Sequence, residues 1–305
     1  MMIIRKKNSY LAGISGGPDS MALLHKYKDV IKVVCHVNYH KRKNSDFDMQ
    51  IVQQYCQKNN IIFECLHVSK DDYEKATEKN FQTLARDFRY NFFVKIASKY
   101  QIFNLLIAHQ FDDFLETAIM QQNKKSMNFY YGIKKINHYK NLIIYRPLIK
   151  KTKNALEKYC KKNNIDYAID WTNATDMYDR NKVRKILSSY SFIRKKIIFW
   201  KFVIRNFFQH FHEKKILKIF NKWKKQNFNL DFFKKNKQNK LNNLIYLFLK
   251  EKKIRNINLG KIINVKNFIF SQKNMKFNRL EKNIFLMKKY NSLLIKKMGK
   301  QWQAI

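Results

Sequence analysis

The 305-residue chain carries 63 Lys and Arg against 22 Asp and Glu, a formal net charge of +41, with 45% hydrophobic and 15% aromatic residues. Such apolar content supports a sizeable core and excludes a disordered basic tail, and the length allows one large domain or two smaller ones. So large a charge calls for a polyanion, either nucleic acid or an anionic membrane surface, although part of it reflects a general richness in Lys and Asn.

In chain order, the β-branched runs Tyr10–Ile14, Ile31–Val37, Ile61–Val68, Asn104–Ala108 and Leu142–Tyr145 read as strands. Helices are expected between them, at roughly Met21–Tyr27, Asp46–Lys58, Glu78–Tyr100, Phe111–Gln122 and Asn154–Asn163. Near-continuous apolar strands alternating with amphipathic helices predict a doubly wound α/β fold, a parallel sheet covered on both faces. Ligands of such sheets sit at the carboxyl ends of the strands.

Composition shifts near Ile186. Residues 1–185 hold 33 basic and 18 acidic side chains, whereas residues 186–305 hold 30 basic and only 4 acidic. Leu241, Leu244, Ile245, Phe248 and Leu249 keep helical spacing there, so the second part reads as a basic, mainly helical domain. Lys234–Lys240 reads as a solvated loop. No stretch of 18 apolar residues predicts a membrane span, and no membrane partner is expected. Cys35, Cys56, Cys65 and Cys160 form no close pair, and Met1 to Lys7 do not resemble a signal peptide. They read as reduced structural thiols of a cytoplasmic protein. The oligomeric state stays open, a homodimer included.

Three of only six glycines, Gly13, Gly16 and Gly17, cluster after the first strand, in a turn reading Ser15-Gly16-Gly17-Pro18-Asp19-Ser20. Glycines let backbone N–H groups converge on a ligand. The two serines add hydroxyls, Pro18 suits a first helical turn, and the following helix N-terminus adds positive potential. Together these suit a phosphate chain. The alternative is a capped helix and nothing more. The turn lacks the Lys of a Walker loop and does not match G-x-G-x-x-G.

The hexapeptide resembles the S-G-G-x-D-S loop of the PP-loop family, the N-type ATP pyrophosphatases. That resemblance implies an adenine nucleotide alpha hydrolase-like fold and cleavage of ATP between its α- and β-phosphates. It also implies phosphate binding by Ser15 to Ser20, and Mg²⁺ held with the help of Asp19.

Three further segments resemble the tRNA(Ile)-lysidine synthetases within that family. The first is Leu84-Ala85-Arg86-Asp87-Phe88-Arg89-Tyr90, where Arg86 and Arg89 share a helix face and suit a phosphate chain. The second runs from Ala108 through His109 and Gln110 to Asp113, Glu116 and Thr117. His109 ends a strand, and Asp113 and Glu116 could jointly hold an ammonium, or could stabilise a helix N-terminus. The third is Asp170-Trp171-Thr172-Asn173, continuing through Arg180 to Arg184. Here Asn173 suits base or ribose recognition and Arg184 suits phosphate. At the end of the second strand and in the loop after it, His36 and Arg42 fit the family pattern, while Tyr39 and His40 do not. Gln110 departs from it and receives no role.

The resemblance implies ligation of L-lysine to the wobble cytidine of the minor isoleucine tRNA, with ATP adenylating the base and AMP leaving. It places lysine on Asp113 and Glu116, ATP also on Arg86, and charge stabilisation on Arg89 and Arg184. His109 is a candidate general base. The rival readings are a PP-loop tRNA thiolase, an amidotransferase-linked ligase of the same superfamily, and a non-catalytic basic RNA- or membrane-binding protein. The absence of C-x-x-C argues against the first, and no glutaminase segment favours the second.

Overall fold

The computed structural model describes residues 4–5, 7–40, 44–69, 72, 81–124, 128–168, 179–235, 240–271, 277–289 and 291–297. Two compact units emerge, one made of residues 1–118 and 132–196 and the other of 119–131 and 197–305. The compositional shift at Ile186 thus falls inside the first unit, ten residues before its last residue, Lys196.

The first unit opens with β1 (Tyr10–Gly13), α1 (Pro18–Lys26), β2 (Ile31–Asn38), α2 (Ser45–Lys58) and β3 (Ile62–His67). It continues through α3 (Phe81–Tyr100), β4 (Asn104–Ile107), α4 (Phe111–Asn123), β5 (Ile136–Tyr139) and β6 (Leu142–Tyr145). Last come α5 (Lys153–Lys162), α6 (Asp179–Ser188) and the start of α7 (Phe192–Lys225). The strands form one sheet in the order β3-β2-β1-β4-β6-β5. All neighbours run parallel except β5, which pairs antiparallel with β6.

The period of two in each strand divides the core. Tyr10, Ala12, Val34 and Leu106 face α1, α2 and α5 through Met21, Leu24, Val52, Cys56, Leu156 and Cys160. Leu11, Val33, Cys35, Leu105 and Ile144 face α3 through Tyr90, Phe93 and Ala97. Gly13 is small because a Cβ there would lie 2.7 Å from the Phe93 ring. The doubly wound parallel sheet expected from the sequence is therefore present. Strand β5 was not expected: it is a mostly exposed edge strand, and its two-residue turn to β6 carries Lys140 at φ 51° with no Gly to announce it.

The second unit contains most of α7, then α8 (Asp231–Lys235), α9 (Leu241–Glu251) and α10 (Leu259–Phe270). A three-stranded antiparallel sheet follows, β7 (Phe277–Glu281), β8 (Ile284–Lys289) and β9 (Ser292–Lys297). The mainly helical expectation thus omitted a sheet. Trp223 is fully buried among Phe228, Phe233 and Phe248, and its Nε1 donates to the Asn229 carbonyl at 2.9 Å. Such aromatic pairs each add about 0.5–1.5 kcal/mol beyond the area they bury. Leu241, Leu244, Ile245, Phe248 and Leu249 are all buried, as their spacing predicts. Of the expected loop Lys234–Lys240, Lys234 and Lys235 belong to α8, and residues 236–239 lie outside the described residues. Among the described residues no helix is long and apolar enough to cross a membrane.

Candidate active site

The turn after β1 is braced from within. Gly16 sits at φ +90°, a conformation few other residues tolerate, and a Cβ there would also lie 3.0 Å from the Asp48 carbonyl oxygen. Ser20 is buried. Its hydroxyl donates to the Gly17 carbonyl at 2.8 Å, and its oxygen accepts the Ser15 N–H at 3.3 Å. From β2, buried His36 donates Nδ1–H to the Ile14 carbonyl at 3.0 Å, and burial pushes its pKa down to about 4. Ala168 N–H meets the Gly16 carbonyl at 2.9 Å. The backbone is thus fixed from several sides, while Gly17 caps α1 with Pro18 in its first turn. Pro18 carries no amide hydrogen, and the Ser20 and Met21 amides both donate to the Gly17 carbonyl at 3.0 Å, which closes the turn onto the start of α1. Ser20 therefore acts first as a brace.

His109 lies just past β4 at the carboxyl edge of the sheet. Arg146 Nε donates to its Nδ1 at 2.9 Å, and Arg146 Nη1 donates to the Lys134 carbonyl at 2.8 Å. Burial pushes the His109 pKa down to about 3, and the charges of Arg146, Arg180, Arg89 and Arg86 add to the shift. A neutral ring whose Nδ1 is an acceptor carries its proton on Nε2. In this arrangement His109 offers a hydrogen-bond donor, which does not suit the general-base role expected for it.

Helix α4 begins with a reciprocal cap. The Gln110 side chain accepts from Asp112 N–H at 2.7 Å, and Asp113 Oδ2 accepts from Gln110 N–H at 3.0 Å. Gln110, given no role from the sequence, is thus a helix cap. Asp113 Oδ1 accepts from Arg180 Nη2 at 3.3 Å. Buried Glu116 takes Arg180 Nε on one oxygen at 2.8 Å and Arg184 Nε on the other at 2.7 Å. The two carboxylates are indeed gathered around a cation, but here it is the guanidinium of Arg180. Burial still raises the Asp113 pKa, and the neighbouring Glu116 raises it further. Asp112 pairs with Lys195 at 3.0 Å.

Asp19 lies on α1 one residue after Pro18. Its pKa is pushed up to about 7, chiefly by burial and further by Asp113, Glu157 and Asp112, against the pull of Lys153. Its Oδ1 is buried with no hydrogen-bond partner among the described residues. A lone hard oxygen in a field of carboxylates fits Mg²⁺, which keeps its waters and takes phosphate oxygens as further ligands. Among the described residues no cluster of three His, Cys, Asp or Glu could hold a metal without such help.

Arg86 and Arg89 are exposed on α3, and Arg86 lies over the Tyr90 ring at 4.7 Å. Tyr39, which departs from the family pattern, donates its hydroxyl to the Ala85 carbonyl at 2.8 Å and so ties the β2 loop to that helix. Asn173 and Arg42 lie outside the described residues. Arg146 was missed from the sequence. Its signal was position: the chain's only prolines, Pro18 and Pro147, each closely follow the carboxyl end of a parallel strand, and Arg146 immediately precedes the second.

A glycine-rich turn leading into α1, a buried carboxyl with an unpartnered oxygen and several arginines accompany a fold of the ATP-using PP-loop class. Residues 2–190 match the PP-loop domain family. Over 280 residues the chain is 46% identical to a tRNA(Ile)-lysidine synthase of Ureaplasma parvum, covering 91% of this chain and 84% of that one. Identity to a tRNA(Ile)-lysidine synthase of Malacoplasma penetrans is 42%, covering 94% and 98%. The chain belongs to the tRNA(Ile)-lysidine synthase family. Its fold is also similar to a U34-tRNA thiolase of Methanococcus maripaludis, at 17% identity and a TM-score of 0.55 over 67% of this chain and 74% of that one.

Proposed function

We propose that the protein joins the ε-amine of L-lysine to the wobble cytidine of the minor isoleucine tRNA. ATP lies with its phosphates over Ser15, Gly16, Gly17, Pro18, Asp19 and Ser20. Mg²⁺, held by Asp19 together with phosphate oxygens, supplies charge neutralisation when bound. The cytosine 2-carbonyl oxygen attacks the α-phosphate, giving an adenylated base and pyrophosphate. The lysine amine then attacks C2 of that base, AMP leaves with the bonding pair, and the amine sheds a proton. The anticodon loop is single-stranded, so its base reaches a recessed site with less unstacking than a duplex would require.

Arg86 and Arg89 face phosphate charge on the tRNA or ATP, and Arg184 offsets charge that develops on the phosphoryl group. His109 is reassigned to a donor, with Nε2–H directed at a substrate oxygen while Arg146 fixes its tautomer. Asp113 and Glu116 receive the lysine ammonium after Arg180 withdraws. Asn173 contacts the cytidine or nucleotide. The observation that carries this reading is the buried, unpartnered Oδ1 of Asp19 beside a braced glycine-rich turn, in a chain that matches lysidine synthases along nearly its whole length.

A thiolase would need a reactive thiol or a cluster. Burial raises the pKa of all four cysteines, to about 11 for Cys65 and Cys160 and about 12 for Cys56, which disfavours the thiolate. The direct test incubates the protein with ATP, labelled lysine and minor isoleucine tRNA. Incorporation of lysine with one pyrophosphate per product is expected, and Asp19→Ala should abolish both steps. Sulfur transfer without lysine incorporation would reject the proposal.

A further inference from the structure

The sheet of β7, β8 and β9 buries one face and leaves the other to solvent. Alternation along the strands sends Leu280, Ile284, Leu286, Leu293 and Ile295 to the core around Trp223. On the same side Asn278 donates its Nδ2–H to the Asn264 carbonyl of α10 at 3.5 Å, and Lys288 donates its Nζ–H to the Ser271 carbonyl at 3.2 Å. The register sets the opposite face. Arg279, Phe285 and Lys296 lie side by side across the three strands, Phe277, Met287 and Leu294 form the next row, and Lys289 with Ser292 follows. Phe277 is 44% and Leu294 41% exposed, while Phe285 and Met287 are half-buried and Arg279, Lys289 and Lys296 exposed. None of these four apolar side chains belongs to the core on the far side. Residues 277–297 contain one carboxylate, Glu281. A bulge after Arg279 turns it off this face, where it sits opposite Ile284 and accepts the Arg255 N–H at 2.6 Å.

We propose that the outer face of this sheet seats unpaired RNA, with bases stacked on Phe277 and Phe285 and backbone phosphates on Arg279, Lys289 and Lys296. The inference rests on the tRNA reading above and adds to it what the sheet reads. Phe277 and Phe285 are diagonal neighbours on β7 and β8, about 7–8 Å apart, so each ring takes a base of its own. Every base offers a flat π face, so stacking of this kind is tolerant of sequence, while the cations follow the phosphates. Sheets that carry exposed aromatics bind single-stranded RNA in this way. A duplex keeps its base faces stacked inside and would engage the three cations alone, leaving both rings unused.

The test titrates the full-length protein into a labelled, unstructured RNA oligonucleotide and, separately, into a blunt RNA duplex of equal length. Phe285→Leu and Phe277→Leu each keep an apolar side chain and remove a ring. Each should weaken oligonucleotide binding about 5- to 150-fold, the loss of one stacked base, and leave duplex binding and Tm unchanged. Phe285→Tyr, which keeps the ring, should bind as the wild type does. Lys289→Gln with Lys296→Gln should flatten the log–log salt dependence of oligonucleotide binding by about 1–2 units. Ring-free variants that hold the oligonucleotide like the wild type overturn the proposal, as does an equal loss toward the duplex. Flotation with anionic vesicles that depends on both rings, without oligonucleotide binding, also overturns it and gives the face to a membrane surface. Ring-dependent RNA binding by a chain that ligates no lysine would uphold this inference and reject the proposed reaction.

Discussion

Asp19 is a carboxyl whose surroundings oppose its charge, with a pKa raised from 3.8 to about 7 by burial and by nearby carboxylates. Between those two values the folded chain keeps a proton that the unfolded chain has lost, so this group's contribution to stability falls as pH rises through that window. Asp19→Asn should therefore stabilise the ligand-free protein at pH 8 by on the order of 1–3 kcal/mol, read as a higher Tm, while abolishing turnover. The Tm difference should vanish by pH 4; a gain equally large there would reject the electrostatic cause. His109 has the opposite sign, since its pKa is depressed to about 3 and its neutral burial costs stability as pH falls below about 6.5. Arg146→Lys removes the Nε donor that sets its tautomer. Lysine transfer should fall at least about 100-fold with ATP affinity nearly unchanged, and a comparable loss of ATP binding would instead assign Arg146 a structural task. The Ser15–Ser20 turn was legible because its six residues are contiguous and lead directly from β1 into α1. The Arg146–His109 and Arg180–Glu116 contacts join residues 37 and 64 positions apart, a proximity that only the folded sheet edge creates.

At the scale of elements, the parallel strands β1, β2, β4 and β6 were readable because they are largely buried, which makes each a short continuous apolar run, while the edge strand β3, only half-buried along most of its length, was readable from the apolar start Ile61-Ile62-Phe63. Strand β5 and strands β7 to β9 are solvated on much of their surface and carry Asn, Lys and Arg, so they resemble basic loops or helix ends. Helix α6 was visible as a basic segment, but not its destination on α4. Arg180 is about a third exposed where it spans Asp113 and Glu116. Removing it leaves buried carboxylates short of a cation, which costs about 3–5 kcal/mol for a fully buried pair and about 1–3 for this partly solvated one. Arg180→Gln should lower Tm accordingly. If the pair then receives the lysine ammonium, millimolar L-lysine should raise the variant's Tm by more than it raises the wild type's. Equal shifts would remove Asp113 and Glu116 from the lysine site.

For the whole molecule, the excess charge acts in two opposed ways. Without a polyanion, 63 basic side chains against 22 acidic repel one another and weaken the compact state. With tRNA bound, the same charges release counterions, and affinity falls with salt by close to one logarithmic unit per phosphate contact. The free protein should therefore gain stability as ionic strength rises from about 0.05 to 0.5 M, where the Debye length shrinks several-fold, while its tRNA affinity falls steeply. The 30 basic and 4 acidic residues of positions 186–305 should supply most of that slope. Replacing Lys215, Lys218 and Lys222 with Gln, exposed positions on α7, should flatten the log–log salt dependence of tRNA binding by about 2–3 units and leave ATP affinity unchanged. An unchanged slope would show that the basic face of α7 does not meet the tRNA backbone, and the contacts would then be sought among Lys282, Lys288, Lys289, Lys296 and Lys297 of the three-stranded sheet and its turns.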